Sequence, residues 1–188
     1  TSRGLGDVYK RQDVMSGIGP EPLNAGDELP VPPVAPGHAV GQPEAPALEL
    51  PEKGGATVLR VTAGPRDDWF TPESLENLTT REWAVSSQSN RVGVRFELPE
   101  NQSVLKRSRE GELASEGVVM GSLQVPHSGV PVLFLADHPV TGGYPVIGVV
   151  VPEDLPLAAQ LPPGSAVRFT LVDSPRPAHA PETPGESA

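Results

Sequence analysis

Three polar stretches hold the residue types that could do chemistry. The densest is Ala136-Asp137-His138-Pro139-Val140-Thr141-Gly142-Gly143-Tyr144-Pro145, set between two apolar runs and so read as a loop at one end of a β-barrel. Its glycine pair lets backbone amides approach a ligand closely. Tyr144 is the one tyrosine outside the first twelve residues, and its two glycine neighbours expose its hydroxyl. Asp137 and Thr141 can position, or accept from, a small polar substrate. A glycine-tight hairpin, with Asp137 bonding amides two residues on, accounts for the same residues. In the second stretch, Ser115 to Gly129, Glu116 and Gln124 stand among apolar or small residues, where a polar side chain needs a partner. Gln124 points away from Leu123 and Val125 if the segment is extended, facing either the barrel mouth or solvent from an edge strand. The third, Ser86 to Gly93, follows uncharged donors and acceptors with one cation, Arg91, which suits a carboxylate or urea-like group. A polar turn capped by Asn90 fits it as well.

Other chemistries drop out. There is no cysteine, so thiolate catalysis, disulfides and Cys-based zinc sites are absent. His38, His127, His138 and His179 lack metal-ligand spacing. Neither a phosphate-binding Gly-x-x-x-x-Gly-Lys loop nor a Gly-x-Ser-x-Gly elbow is present, so the chain has no ATP site of its own. Lys106-Arg107-Ser108-Arg109-Glu110 reads as a solvated loop. With 14 basic and 24 acidic residues the net charge is −10, which argues against nucleic acid and anionic membranes as partners. The longest apolar runs, such as Val146 to Val151, fall far short of the ~20 residues that span a bilayer. No secretory signal is read, and a cytoplasmic location is the default expectation.

The elements that must position these stretches follow from composition. Of 188 residues, 24 are Pro and 20 are Gly, which disfavours a helical bundle because both interrupt helical hydrogen bonding. Nine prolines fall in residues 20–56 and four in the last sixteen residues, marking a Pro-rich linker over 32–56 and a disordered tail over 173–188. Residues 1–12 carry three basic residues and one acid in an otherwise acidic chain and read as adaptor-derived, non-native sequence. Between 57 and 172 the pattern is β. Alternating or β-branched runs lie at Thr57–Thr62, Trp83–Ser86, Val92–Leu98, Val132–Ala136, Val146–Val151 and Ala166–Val172. A helix is predicted from the Thr71-Pro72 start, with Phe70 stapling onto Leu75, and a second, short one over Pro152–Gln160. Many strands with two small helices imply a closed barrel, which pairs every edge. Leu23-Asn24-Ala25-Gly26-Asp27-Glu28-Leu29 and Leu161-Pro162-Pro163-Gly164-Ser165-Ala166-Val167 repeat one apolar–x–x–Gly–x–x–apolar pattern, either by coincidence of two turns or because each closes a related domain.

In order and spacing, Ser89-Asn90-Arg91-Val92-Gly93, the Ser115–Pro126 stretch with Gln124-Val125-Pro126, and Thr141-Gly142-Gly143-Tyr144-Pro145 resemble the biotin-dependent carboxyltransferase family. Its members include a bacterial 5-oxoprolinase subunit and the carboxyltransferase domain of urea amidolyase (allophanate hydrolase subunit 2-like). The resemblance runs over roughly 13–172, and Gly164–Phe169 fits the family's closing strand. It implies two cyclophilin-like barrels with the active site between domains. On that reading 13–31 is the remnant of a first barrel in an N-terminally truncated chain, and 57–172 is the second barrel. The activity implied is ATP-dependent hydrolysis of 5-oxoproline to glutamate, or biotin-dependent carboxyl transfer to urea or an amide. ATP then acts through the complex, biotin is carried by a partner, and a partner subunit supplies the rest of the cleft, leaving this piece inactive alone. The resemblance assigns catalysis to Gln124, Asp137 and Tyr144, and binding of an amide, lactam or urea to Asn90, Arg91, Glu116, Thr141, Gly142 and Gly143, with no metal. Two alternatives stand beside it. One is a regulatory protein that binds an inhibitor of a sporulation histidine kinase; the other is a non-catalytic ligand-binding barrel.

Overall fold

The computed structural model of the chain describes residues 24–30, 33, 55–99 and 101–173. The expectations for residues 1–12, and most of those for 13–31, 32–56 and 173–188, lie outside the described residues. The chain divides into two units, Thr1–Ala47 and Leu48–Ala188. In the first, the Asp27 amide donates to the Asn24 carbonyl at 3.2 Å, with Gly26 at φ +98°. In the second, the Ser165 amide donates to the Pro162 carbonyl at 3.2 Å, with Gly164 at φ +83°. Both place glycine third in an i→i+3 turn, where a left-handed φ excludes most side chains. The repeated sequence pattern is one turn used twice.

Among the described residues the second unit contains, in chain order, β1 (Ala56–Ala63), α1 (Pro72–Thr80), β2 (Glu82–Val85), β3 (Gly93–Glu97), β4 (Glu116–Gly117), β5 (Ser122–Gln124), β6 (Val132–Phe134), β7 (Thr141–Gly142), β8 (Val146–Val150), α2 (Leu155–Ala158) and β9 (Ala166–Leu171). Single 3-10 turns precede the helices at Asp67–Trp69 and Pro152–Asp154. Seven strands close a barrel in the order β1-β8-β5-β6-β3-β2-β9, completed by the parallel pairing of β9 with β1. β4 and β7 form a separate two-stranded ribbon. The mainly β closed barrel with two short helices is the architecture that the strand pattern implies.

Local sequence explains the helices. Thr71 caps α1 by accepting the Ser74 amide at 3.2 Å, and Pro72 occupies the first turn, where its missing N–H costs nothing. Phe70 joins the core at 4% exposure, whereas Leu75, its expected staple partner, remains 36% exposed. Pro156 falls in the first turn of α2, which is four residues long, and its missing N–H marks the break from the 3-10 turn at Pro152–Asp154. The core is filled from alternate strand positions: Leu59, Val61, Trp83, Leu123, Leu133, Val167 and Phe169 are fully buried. Trp83, Phe96 and Phe169 meet edge to face, with centroids 6.4 and 5.6 Å apart. Trp83 Nε1 donates to the Leu78 carbonyl at 3.2 Å, fastening the end of α1 to the barrel.

Register fixes which residues share an end. Ala63 lies opposite Gly148, Gln124 opposite both Val146 and Val132, and Val132 opposite Arg95. One end, called upper here, thus collects the close of β1, the close of β5 and the starts of β6 and β8. The lower end collects the start of β5, the close of β6 and the start of β3, where Gly93 faces Phe134. β6 and β8 both run antiparallel to β5, which lies between them, so they are parallel to each other. Their connection, residues 135–145, must therefore return from the lower end to the upper end. It is a crossover and not a loop at one end as the sequence implies. β7 is part of it, β4 is its partner, and Val118, Phe134 and Val146 form a second small apolar cluster apart from the barrel core.

Candidate functional site

At the upper end the crossover arrives beside Gln124. The residue is 6% exposed, on a central strand and not an edge, and its side chain is turned away from the core occupied by Leu123. It faces neither the barrel mouth nor solvent: Gln124 Nε2 donates to the Tyr144 carbonyl at 3.1 Å. Gly142 makes room for it, since a Cβ there would lie 2.3 Å from Nε2. The room left by the missing Cβ of Gly142 is taken by the Gln124 side chain, whereas a Cβ at Gly143 would meet nothing nearer than 3.5 Å. Glu116 lies opposite Gly142 in the ribbon and forms an ion pair with Arg66, which follows the close of β1. Thr141 is exposed. Neither the Gly143 nor the Tyr144 amide donates to another described residue outside the strand ladders. Tyr144 is 39% exposed, with the His127 ring edge-on at 5.3 Å and the Arg107 guanidinium 5.8 Å from its centroid.

Asn90, Arg91 and Asp137 gather at the lower end. Asn90 Oδ1 accepts the Val92 amide at 2.9 Å and the Gly93 amide at 3.3 Å, which is the capped polar turn. Arg91 Nε donates to Asp137 Oδ2 at 2.7 Å, and the Asp137 amide donates to the Arg91 carbonyl at 3.1 Å. Hydrogen bonding to Asp137 raises the Arg91 pKa above its ordinary value, outweighing partial desolvation. Asn90 and Arg91 border a cavity of about 600 Å3 whose other walls include Met120, Leu135, Leu155 and Leu161. The nine candidate residues are therefore divided between two barrel ends, with Asp137 separated from Gln124 and Tyr144 by the length of the crossover.

A family model described as carboxyltransferase domain, subdomain A and B, matches residues 10–171. The chain belongs to the carboxyltransferase domain family. It is 37% identical over 111 residues to a 5-oxoprolinase subunit of Escherichia coli K12, covering 59% of this chain and 34% of that protein. It is 32% identical over 142 residues to the urea amidolyase of Lachancea kluyveri, covering 70% of this chain and 8% of that one. Among solved structures, TTHA0988 superposes with a TM-score of 0.54 at 36% identity, over 75% of this chain and 25% of that chain. The urea amidolyase of Kluyveromyces lactis superposes with a TM-score of 0.58 at 26% identity, over 66% of this chain and 8% of that chain. The chain thus spans about a third of the length of the 5-oxoprolinase subunits it matches.

Within this carboxyltransferase barrel, three residues at the upper end escape sequence reasoning. Arg66 is fifty residues from Glu116, and no local pattern ties them. Arg107 falls in the stretch read as solvated, yet it is half-buried, and its Nη2 donates to the Val125 carbonyl at 2.9 Å. His127 has no metal-ligand spacing, and its role at Tyr144 is a ring contact. Among the described residues no group of three His, Cys, Asp or Glu is placed to hold a metal ion. Nor is any helix of these residues long and apolar enough to cross a membrane.

Proposed function

We propose that the chain contributes one barrel of a carboxyltransferase-family subunit acting in ATP-dependent hydrolysis of 5-oxoproline to glutamate. The observation that carries this reading is the upper-end group: Gln124 holds the Tyr144 carbonyl, and the Gly143 and Tyr144 amides and the Tyr144 hydroxyl are left with no acceptor among the described residues. Charge develops on the carbonyl oxygen when a lactam is attacked, and a fixed set of donors stabilises it without reorganising. The similarity to 5-oxoprolinase subunits of Escherichia coli and Haemophilus influenzae supports the substrate. The described residues do not fit ATP. They contain no phosphate-binding loop, and five of their cations, Arg60, Arg66, Arg91, Arg109 and Arg168, are already paired with carboxylates. ATP and the remaining wall of the cleft are therefore assigned to the partner subunit and the rest of the complex.

Carboxyl transfer to urea is the second reading, favoured by the 70% of the chain that aligns with a urea amidolyase. Biotin carried by a partner would bring the carboxyl group, and the same amide and hydroxyl donors would hold its ureido oxygen. The two readings separate in one assay of the assembled complex. Glutamate release that requires both ATP and 5-oxoproline is expected. Its absence, with ATP consumption dependent on urea instead, moves the chain to the amidolyase branch. Tyr144→Phe and Gln124→Ala should each lower kcat/KM at least ~10-fold, the order expected for a lost transition-state donor or its support. Activity within twofold of the parent in both variants would remove the upper-end group from the site.

A further inference from the structure

Arg107 is a half-buried cation with no carboxylate partner among the described residues. One of its N–H groups is spent on the Val125 carbonyl at 2.9 Å, and the rest of the fork has no hydrogen-bond partner among the described residues. Tyr144 lies under it, 5.8 Å from the guanidinium carbon to the ring centroid, and His127 meets the same ring edge-on at 83°. The segment is held from several sides. The Lys106 amide donates to Ser74 Oγ at 2.7 Å, and that hydroxyl donates to the Lys106 carbonyl at 3.1 Å. The Ser108 amide donates to the Trp69 carbonyl at 2.8 Å, and Arg107 itself bridges to Phe70. Lys106, Ser108, Arg109 and Glu110 are exposed, yet these bonds fix the backbone on both sides of Arg107. In a chain of net charge −10, a backbone clamped this firmly holds over the Tyr144 ring a guanidinium with no carboxylate partner among the described residues, at the end of the barrel where the Gly143 and Tyr144 amides also have no acceptor among them. Desolvating a cation without a counter-charge is unfavourable, and a planar fork with parallel N–H groups is matched by a carboxylate.

We infer that Arg107, walled by Tyr144 and His127, is the point at which the upper end recognises the carboxylate of an anionic small molecule. The inference rests on the reading of that end as the substrate-facing one, and it deepens it. Urea offers the guanidinium a neutral carbonyl acceptor but no counter-charge, whereas a lactam acid such as 5-oxoproline presents a carboxylate to Arg107 and an amide to the Gly143–Tyr144 donors.

The test is binding to the full 188-residue chain, followed by NMR of the His127 and Tyr144 rings during titration with 5-oxoproline and with 2-pyrrolidinone, the same lactam without its carboxylate. Saturable shifts at both rings are expected with 5-oxoproline, at an affinity at least tenfold above that for 2-pyrrolidinone. Arg107→Gln should abolish this preference. Arg107→Lys, which keeps the charge and loses the fork, should retain only part of it. Arg109→Gln makes the same change in net charge at the exposed pair with Asp68 and should leave the preference intact. Equal response to the two lactams, or a preference unchanged in Arg107→Gln, overturns the inference. Because the readout is binding and not turnover, a complex that releases no glutamate while the preference persists removes the oxoprolinase reading alone.

Discussion

A Cβ added at Gly142 would lie 2.3 Å from Gln124 Nε2, while one at Gly143 would meet nothing nearer than the Leu113 carbonyl at 3.5 Å. Neither glycine has a left-handed φ, so the pair is distinguished by space alone. Gly142→Ala should push the Gln124 amide off the Tyr144 carbonyl, a part-buried hydrogen bond worth about 1 kcal/mol. Gln124→Ala removes the same bond, and the double variant should cost clearly less than the two single costs added, because alanine at 124 clears the space. Gly143→Ala should stay within about 0.5 kcal/mol of the parent. Urea melts of the four variants decide this, and strict additivity would mean that Gly142 and Gln124 do not compete for one volume. The sequence makes Gln124 and the glycine pair conspicuous as polar or small residues among apolar ones. It does not show that they face each other, because the contact spans a crossover.

Helix starts are written in adjacent residues, and Thr71-Pro72 is legible for that reason. β4, β5 and β7 are two or three residues long, too short for a period of two to register, and their partners are remote in sequence. Lys106–Glu110 shows the same limit. Its five residues look solvated by composition, and the partners that fix it, Ser74 and Trp69, lie more than thirty residues away. Asp154 is a further case, since its position at the start of α2 suggests a dipole interaction. In the structure its carboxylate accepts the Arg60 amide at 2.7 Å and the Arg60 guanidinium at 2.7 Å, joining the 3-10 turn before α2 to β1. Hydrogen bonding to the Arg60 side chain, with smaller help from its backbone amide and charge, lowers the Asp154 pKa below its ordinary value of 3.8 despite partial burial. A lowered folded-state pKa contributes stability that is full above the ordinary value and lost as pH falls through the folded value. Asp154→Asn should therefore melt below the parent at pH 7, and the gap should close as the pH drops under about 3.8. A gap independent of pH would mean that the carboxylate's charge does not matter to the joint.

Among the described residues no proline and only four glycines, Gly93, Gly117, Gly142 and Gly148, lie in strands, which makes so high a content of both compatible with a closed barrel. What composition and periodicity do not carry is strand order. Placing β5 between β6 and β8 makes them parallel, and a parallel pair with one strand between demands a connection that runs the barrel's length. Seen as text, Asp137 and Tyr144 are seven residues apart in one polar stretch and look like members of one site. In the fold, Asp137 pairs with Arg91 at the lower end and Tyr144 stacks near Arg107 at the upper end. With strands rising ~3.3 Å per residue, the two ends stand on the order of 10 Å apart or more. That separation makes a measurable claim. Asp137→Ala and Tyr144→Phe should change kcat/KM of the assembled complex independently, the free-energy effects of the double variant adding to within about 0.5 kcal/mol. Two members of one catalytic group would instead show strong non-additivity, the second loss costing little after the first. An Asp137 effect expressed mainly in thermal stability, with kcat/KM nearly unchanged, would likewise place it as the Arg91 tie that anchors the lower end of the crossover. A coupling energy above about 1 kcal/mol would contradict the two-ended arrangement and require the crossover to bring both side chains to a common substrate.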